Sequence, residues 1–288
     1  MDAAILIPFL LIIGLAVGSF LNVCIYRIPI GKSIIRPGSF CPLCKKPITW
    51  YDNIPIISYV LLGGRCRWCK EAISLRYPIV ESLTGALFTL FFYYLVIKTG
   101  EHLEVYVIYT LLGCALIVSS FIDMELYIIP NEITYAGMVS APLFSLLFPS
   151  LHHSTDNLRV FNLLGSVRLD ALAASLLGIL IGGGLVLVFG VLGTLLLRKE
   201  AMGMGDVKLM AMVGGIMGWK PAVVIFFLAP FFALVVAIPL LFLGKGRTIP
   251  YAPFLSLATL VSIPLHEPFV RFLDSRLYLF SELLRELL

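Results

Sequence analysis

The sequence predicts an all-α polytopic membrane protein of about eight transmembrane helices, with a small zinc-binding cytoplasmic domain between helices 1 and 2. Three observations predict it. Hydrophobic residues make up 60% of the 288 and charged residues only 13%, about half the ~25% of soluble domains. Apolar runs long enough to cross ~30 Å of hydrocarbon recur along the chain. The one sizeable polar segment, 27–77, lies between the first two runs and carries two C-x-x-C pairs. A net charge of +4 is too small to point to nucleic acid.

The first run, Ala3 to Tyr26, has 24 residues without a charge. It lacks a basic leader and an A-x-A site, so it reads as a retained helix. Spans are expected at 5–26, 78–97, 105–122, 128–148, 170–197, 206–218, 221–243 and 252–266. The sixth covers only ~20 Å at helical rise and reads as a partial or broken helix. The chain thus divides into a first helix (1–26), a cytoplasmic unit (27–77), a membrane-embedded domain (78–266) and a C-terminal amphipathic helix (267–288). In the last, Phe269, Leu273, Leu277 and Phe280 recur opposite Arg271, Asp274 and Glu282. His152-His153, on the expected outer loop 149–169, reads as solvated, and no internal repeat stands out.

Lys and Arg set the orientation. Fourteen fall on one side of the membrane and seven on the other, and the richer side faces the cytoplasm. Both termini then face outward, and 27–77 is cytoplasmic.

That segment holds Cys41-Pro42-Leu43-Cys44 and Cys66-Arg67-Trp68-Cys69, with 21 residues between the pairs. Zinc sites of this type usually have 15–20. Four thiolates close a tetrahedral structural site, and metal binding staples a segment too short for its own core. Disulfides are disfavoured in a reducing compartment. Cys24 and Cys114 lie in apolar runs and read as packed thiols.

Two acids remain to be explained. Asp206 follows Gly203-Met204-Gly205, and Asp123 follows Ser119-Ser120-Phe121-Ile122. Both fall at cytoplasmic helix ends, although a mid-bilayer aspartate costs ~2.5–3.5 kcal/mol. Asp206 alone reads equally as the cap of a helix starting at Val207. Facing one another, two carboxylates share one proton, and the pair can activate water against a peptide carbonyl. Gly203 and Gly205 leave backbone open beside such a site for an extended substrate. Proton-coupled transport is the competing use of paired membrane acids. Glu125 and Glu132 add negative charge near Asp123 that would steer a basic substrate inward. Lys208 reads as snorkelling to headgroups.

Several ordered motifs carry a resemblance. They are Gly18-Ser19-Phe20-Leu21-Asn22-Val23 with Arg27-Ile28-Pro29, the paired C-x-x-C motifs around Asn53-Ile54-Pro55, and Ile73-Ser74-Leu75-Arg76-Tyr77-Pro78 with Glu81. Asp123 with Ile129-Pro130-Asn131 and the G-x-G-D of Gly203 to Asp206 complete the set. Over nearly its whole length the chain resembles the type IV prepilin peptidases and their type II secretion relatives. The resemblance implies a bifunctional enzyme of the bacterial inner membrane with its active site facing the cytoplasm. It implies cleavage of basic leader peptides from prepilins and pseudopilins by Asp123 and Asp206. It also implies methylation of the new N-terminal amine with S-adenosylmethionine. Methyl transfer rests on resemblance alone, since 27–77 has no G-x-G-x-x-G and no length for a Rossmann unit. No residue is assigned to the methyl donor. Asn22, Arg76 and Glu81, where the cytoplasmic unit meets the membrane, read as readily as caps or ion-pair partners. Ile249-Pro250-Tyr251-Ala252-Pro253-Phe254 is similar to the family's Pro-rich segment, with Tyr251-Ala252 where Phe-Gly is common.

Overall fold

The structure, a computed structural model, describes residues 3–153, 166–199, 202–242 and 249–264. The expected helix 267–288 lies outside the described residues. Among those described, every regular element is helical, and the only β-pairing is two isolated bridges, Phe40 with Pro47 and Arg65 with Ala72. Five helices are long and apolar enough to cross a membrane: Ile7–Ile30, Arg76–Lys98, Leu103–Leu126, Val167–Leu196 and Trp219–Leu240. The other three expected spans are helical but shorter, at Asn131–Leu147, Met204–Met217 and Ala252–Pro264. The chain packs as two compact units, 1–130 and 131–288. Composition marks where the chain leaves the membrane, at 27 and 78. Packing instead marks which helices share a core.

The first unit contains α1 (Ile7–Arg27), the short α2 (Ile57–Leu61), α3 (Arg76–Phe91, continuing as a π-helix to Lys98) and α4 (Leu103–Leu126). Helices α1 and α3 cross on small residues. A Cβ on Gly14 would lie 2.8 Å from Gly85 Cα, and one on Gly18 would lie 2.6 Å from Glu81 Cα. Such close backbones give van der Waals contact that lipid cannot offer. At the end of α1, Arg27 is buried and folds the departing chain around itself. Its Nη1 donates to Ser33 O and its Nη2 to Gly38 O, each at 3.0 Å.

In the second unit, α8 (Met204–Met217) is the core, packed by α5 (Asn131–Leu147), α7 (Val167–Leu197) and α9 (Trp219–Phe242). Its other helices among the described residues are one turn of α6 (Ser150–His153) and α10 (Ala252–Pro264). The sixth span is partial, as expected, but it is not broken. Helix α8 is continuous over 14 residues, and every residue from Leu209 to Met217 is buried. At ~21 Å it is too short to face lipid across the bilayer. It needs no such length, because longer helices surround it.

Helices α7 and α8 meet at Gly178 and Gly214, where a Cβ added to either collides with the carbonyl oxygen of the other. Ser175 Oγ donates to Gly215 O at 2.7 Å beside the crossing. Gly214→Val is therefore expected to force the pair apart and cost about 3 kcal/mol or more. Thermal unfolding in detergent checks this, and an unchanged midpoint would rule out the close crossing.

His152 corrects an expectation. It is not solvated but fully buried, with its Nε2 2.8 Å from Ser145 Oγ. The turn of α6 folds back on α5, α7 and α8 and takes the ring inward. Burial pushes the imidazole down to about 4. Between pH ~6.5 and that value the unfolded chain binds a proton that the folded chain excludes, so stability is full above ~6.5 and falls with pH. The loss should be on the order of 2 kcal/mol at pH ~5. Melting curves of wild type and His152→Gln against pH test this, the variant being expected to lose the slope.

Candidate active site and metal centre

The metal centre is built from one local device used twice. In each knuckle the first cysteine's carbonyl accepts from a lysine N–H, Lys45 to Cys41 at 2.9 Å and Lys70 to Cys66 at 3.0 Å. Its N–H returns to Lys46 O at 3.0 Å or Glu71 O at 2.8 Å. Lys45 and Lys70 both take left-handed backbone, φ 60° and 59°. A structural repeat is present after all, in Cys41-Pro42-Leu43-Cys44-Lys45 and Cys66-Arg67-Trp68-Cys69-Lys70. The shared lysine after each pair was its visible trace.

The knuckles bring the ligand atoms of Cys41, Cys44, Cys66 and Cys69 within 4.8 Å of one another, Cys41 and Cys69 sulfurs being 3.9 Å apart. Sulfurs 2.3 Å from a tetrahedral zinc stand ~3.8 Å apart, so the set fits that ion. Backbone N–H groups of Cys69 and Trp68 pull the Cys66 thiol down to about 7. The Glu71 N–H also favours ionised Cys69. Burial and the neighbouring thiols outweigh it and push Cys69 up to about 11. Four thiols this close cannot all ionise without a cation among them, and zinc removes that conflict. Arg67 braces the second knuckle, donating from Nε and Nη2 to Asp52 at 2.6 Å each, and its guanidinium holds the Asp52 carboxyl below its usual range.

Asp123 lies in the last turn of α4 and is 6% exposed. The helix stops just beyond it because Tyr127, at φ 57°, turns left-handed and donates its N–H to Asp123 O at 2.9 Å. Asp206 lies in the first turn of α8 and is 9% exposed. It is not the cap: the helix begins at Met204 with Gly203 as N-cap, three residues earlier than the capping alternative required. A Cβ on Gly203 would stand 3.6 Å from Asp206 Oδ2, so glycine there leaves one edge of the carboxylate uncovered. Gly205 sits inside the first turn.

Lys208 has partners within the protein. Its Nζ donates to Asn131 Oδ1 at 2.8 Å and stands 5.0 Å from the centre of the Tyr135 ring. Both partners are on α5. Sequence reasoning also left Tyr251 without a role beside the site. Its phenol is pushed up to about 12 by burial, assisted by the charge of Asp206, and its buried hydroxyl lacks a hydrogen-bond partner.

A second feature belongs wholly to the first unit. A cavity of about 630 Å³ opens where 28–75 folds against α1, α3 and α4. Glu81, Asn22 and Arg76, unassigned by sequence, all line it. Glu81 accepts the Ile56 N–H at 2.8 Å. Ile56 stands at φ 60°, ψ −50°, a bend costing a β-branched residue about 1–3 kcal/mol unless its surroundings hold it. Asn22 donates from Nδ2 to Gly18 O at 3.3 Å and Tyr77 O at 3.2 Å. Arg76 Nη1 donates to both Glu125 oxygens, at 2.7 and 2.8 Å. The Glu125 charge is thus already met, and it steers a basic substrate less than a free carboxylate would.

Fold and site together define a polytopic helical membrane protein with a four-cysteine metal centre and buried acids at helix ends. Residues 12–95 match the bacterial peptidase A24 N-terminal domain, and residues 110–238 match the type IV leader peptidase family. A prepilin leader peptidase/N-methyltransferase of Klebsiella pneumoniae is 37% identical over 219 residues, covering 74% of this chain and 85% of that one. Its namesake in Neisseria gonorrhoeae is 31% identical over 288 aligned positions, covering 89% and 91%. Another, from Myxococcus xanthus (strain DK1622), is 36% identical over 242 residues, and the match spans 84% of this chain but 65% of that longer one. No solved structure matches. The chain belongs to the type IV leader peptidase family. Nothing in fold, site or relatives supports the transporter alternative.

Proposed function

We propose that this chain is a bifunctional enzyme of the bacterial inner membrane, cleaving leader peptides from prepilins or pseudopilins and methylating the new N-terminus. Among the described residues three apolar helices bury an aspartate at an end, Asp123, Asp170 and Asp206, and the observation that carries the peptidase reading is that Asp123 and Asp206 are the two that also stand in the motifs resembling the family's. Burial of an acid in a membrane helix is costly and marks function. Hydrolysis requires both carboxylates to reach one water and one scissile carbonyl, Asp123 and Asp206 acting as a pair. The helix dipole favours negative charge in a first turn and disfavours it in a last turn. That difference gives Asp206 the general-base role and Asp123 the acid role. Gly203 and Gly205 offer uncluttered backbone to the extended substrate. The excess of Lys and Arg in 27–77 supports a cytoplasmic face for this chemistry, the side on which a basic leader would be met.

Zinc held by Cys41, Cys44, Cys66 and Cys69 is structural, since four thiolates leave it no open position. S-adenosylmethionine, when bound, supplies a methyl group carried on a positively charged sulfur. The recipient α-amine, ordinarily near pKa 8, is readily available in its neutral form. The domain 27–77 serves this second reaction.

The test is the purified protein in liposomes without any ion gradient, given a prepilin and S-adenosylmethionine and read by mass spectrometry. Loss of the leader and gain of one methyl group are the expected mass changes. Cleavage under these conditions excludes transport as the primary role, and an intact leader after incubation with folded, zinc-loaded protein would overturn the peptidase reading.

A further inference from the structure

We propose that the cavity of the first unit is the methyl-donor site, and that Asn22 and Arg76 hold the donor's amino-acid end. The proposal rests on the methyl-transfer reading above and adds the place and orientation of the donor. Its volume of about 630 Å³ falls within the ~300–1,000 Å³ of small-molecule sites. Two buried polar atoms on its lining residues have no partner: Asn22 Oδ1, an acceptor, and Arg76 Nε, a donor. Buried groups left unpaired are rare and costly, and two in one cavity call for a ligand that satisfies both. Asn22 itself is only 1% exposed.

The two atoms belong to one locality, because Asn22 Nδ2 already donates to the carbonyl of Tyr77, the residue after Arg76. An acceptor beside a cationic donor matches the zwitterion of an α-amino acid. The ammonium donates to Asn22 Oδ1, and the carboxylate accepts from Arg76 Nε. Glu125 occupies Nη1 of Arg76 and fixes the guanidinium, leaving Nε as the free edge. Tyr26, Tyr59 and Trp68 also line the cavity and offer apolar ring surface for a purine.

The experiment is calorimetric binding to full-length, zinc-loaded protein in nanodiscs, which needs no turnover. The two probes are S-adenosylhomocysteine, which keeps the amino-acid end, and 5′-methylthioadenosine, which lacks it. Asn22→Leu and Arg76→Lys are each expected to weaken S-adenosylhomocysteine about tenfold to a hundredfold, the range for a hydrogen bond to a charged group. Binding of 5′-methylthioadenosine should change by less than about threefold in both. Zinc content and the melting temperature of the unliganded variants confirm folding, and Arg76→Lys, which keeps the charge, guards against misfolding of Asn22→Leu. Wild-type affinity for S-adenosylhomocysteine in both variants overturns the proposal, as does an equal loss for the two probes in folded variants. Those outcomes leave methyl transfer intact if wild type still methylates. Should wild type neither bind S-adenosylhomocysteine nor methylate a cleaved prepilin, the methyl-transfer reading itself fails.

Discussion

Asp206→Asn is expected to abolish leader cleavage, lowering the rate by about a thousandfold or more, and Asp123→Asn to do the same. General acid–base catalysis is worth ~10²–10⁴ per group. Neither role has a substitute when one water must be deprotonated while the carbonyl is polarised. The double variant should be little worse than either single one, since residues acting as a unit are far from additive. Asparagine keeps the volume of aspartate, so the buried sites at the ends of α4 and α8 should fold unchanged, and a preserved melting temperature checks that. The pH–rate profile of wild type should be bell-shaped, its two limbs belonging to the pair and not to either residue. Cleavage surviving in the double variant would refute the aspartic mechanism.

Cys41→Ser is expected to empty the metal centre and unfold the segment around it. Structural zinc contributes on the order of 10–16 kcal/mol in small zinc units, far more than 28–75 can replace from its own apolar burial. The segment is held by few other devices: Arg27 on the carbonyls of Ser33 and Gly38, Arg67 on Asp52, and Glu81 on the Ile56 N–H. The measured result should be loss of zinc by elemental analysis together with rapid proteolysis between α1 and α3. Methylation should disappear before cleavage, because Cys41 and Cys66 line the same cavity as Asn22 and Arg76, while Asp206 stands on a helix of the second unit. A chelator acting on wild type should reproduce this order. Cleavage and methylation lost in step would argue against a separate methyl-transfer role for 27–77.

Much of this was legible without coordinates because it depended on local pattern. The C-x-x-C pairs announce a metal site, since ligand spacing within a knuckle is set by the chain itself, and the structure brings the four sulfurs together. Apolar runs locate helices because the bilayer imposes a length. Asp123 and Asp206 stand out because a carboxylate is expensive in such a run. Partners were not legible in the same way. That Lys208 meets Asn131 and Tyr135, that Arg76 pairs with Glu125, and that Glu81 braces Ile56 depend on side chains 77, 49 and 25 positions apart. No periodicity encodes those distances. His152 misled for the same reason, as a polar residue in a polar stretch is buried only if the turn that carries it folds back.

The amino-acid sequence by itself determined the solvent of this protein, the four cysteines that fit a metal and the two acids proposed to carry its chemistry. Each is a matter of composition or of spacing over a few residues. Tertiary packing decided that a 14-residue helix could form the heart of the second unit, shielded from lipid by longer neighbours. It also decided that Asn22 and Arg76 would face one cavity with an acceptor and a donor unmet. Those outcomes depend on which helix faces cross, and crossings such as Gly178 with Gly214 are fixed by steric fit between distant segments.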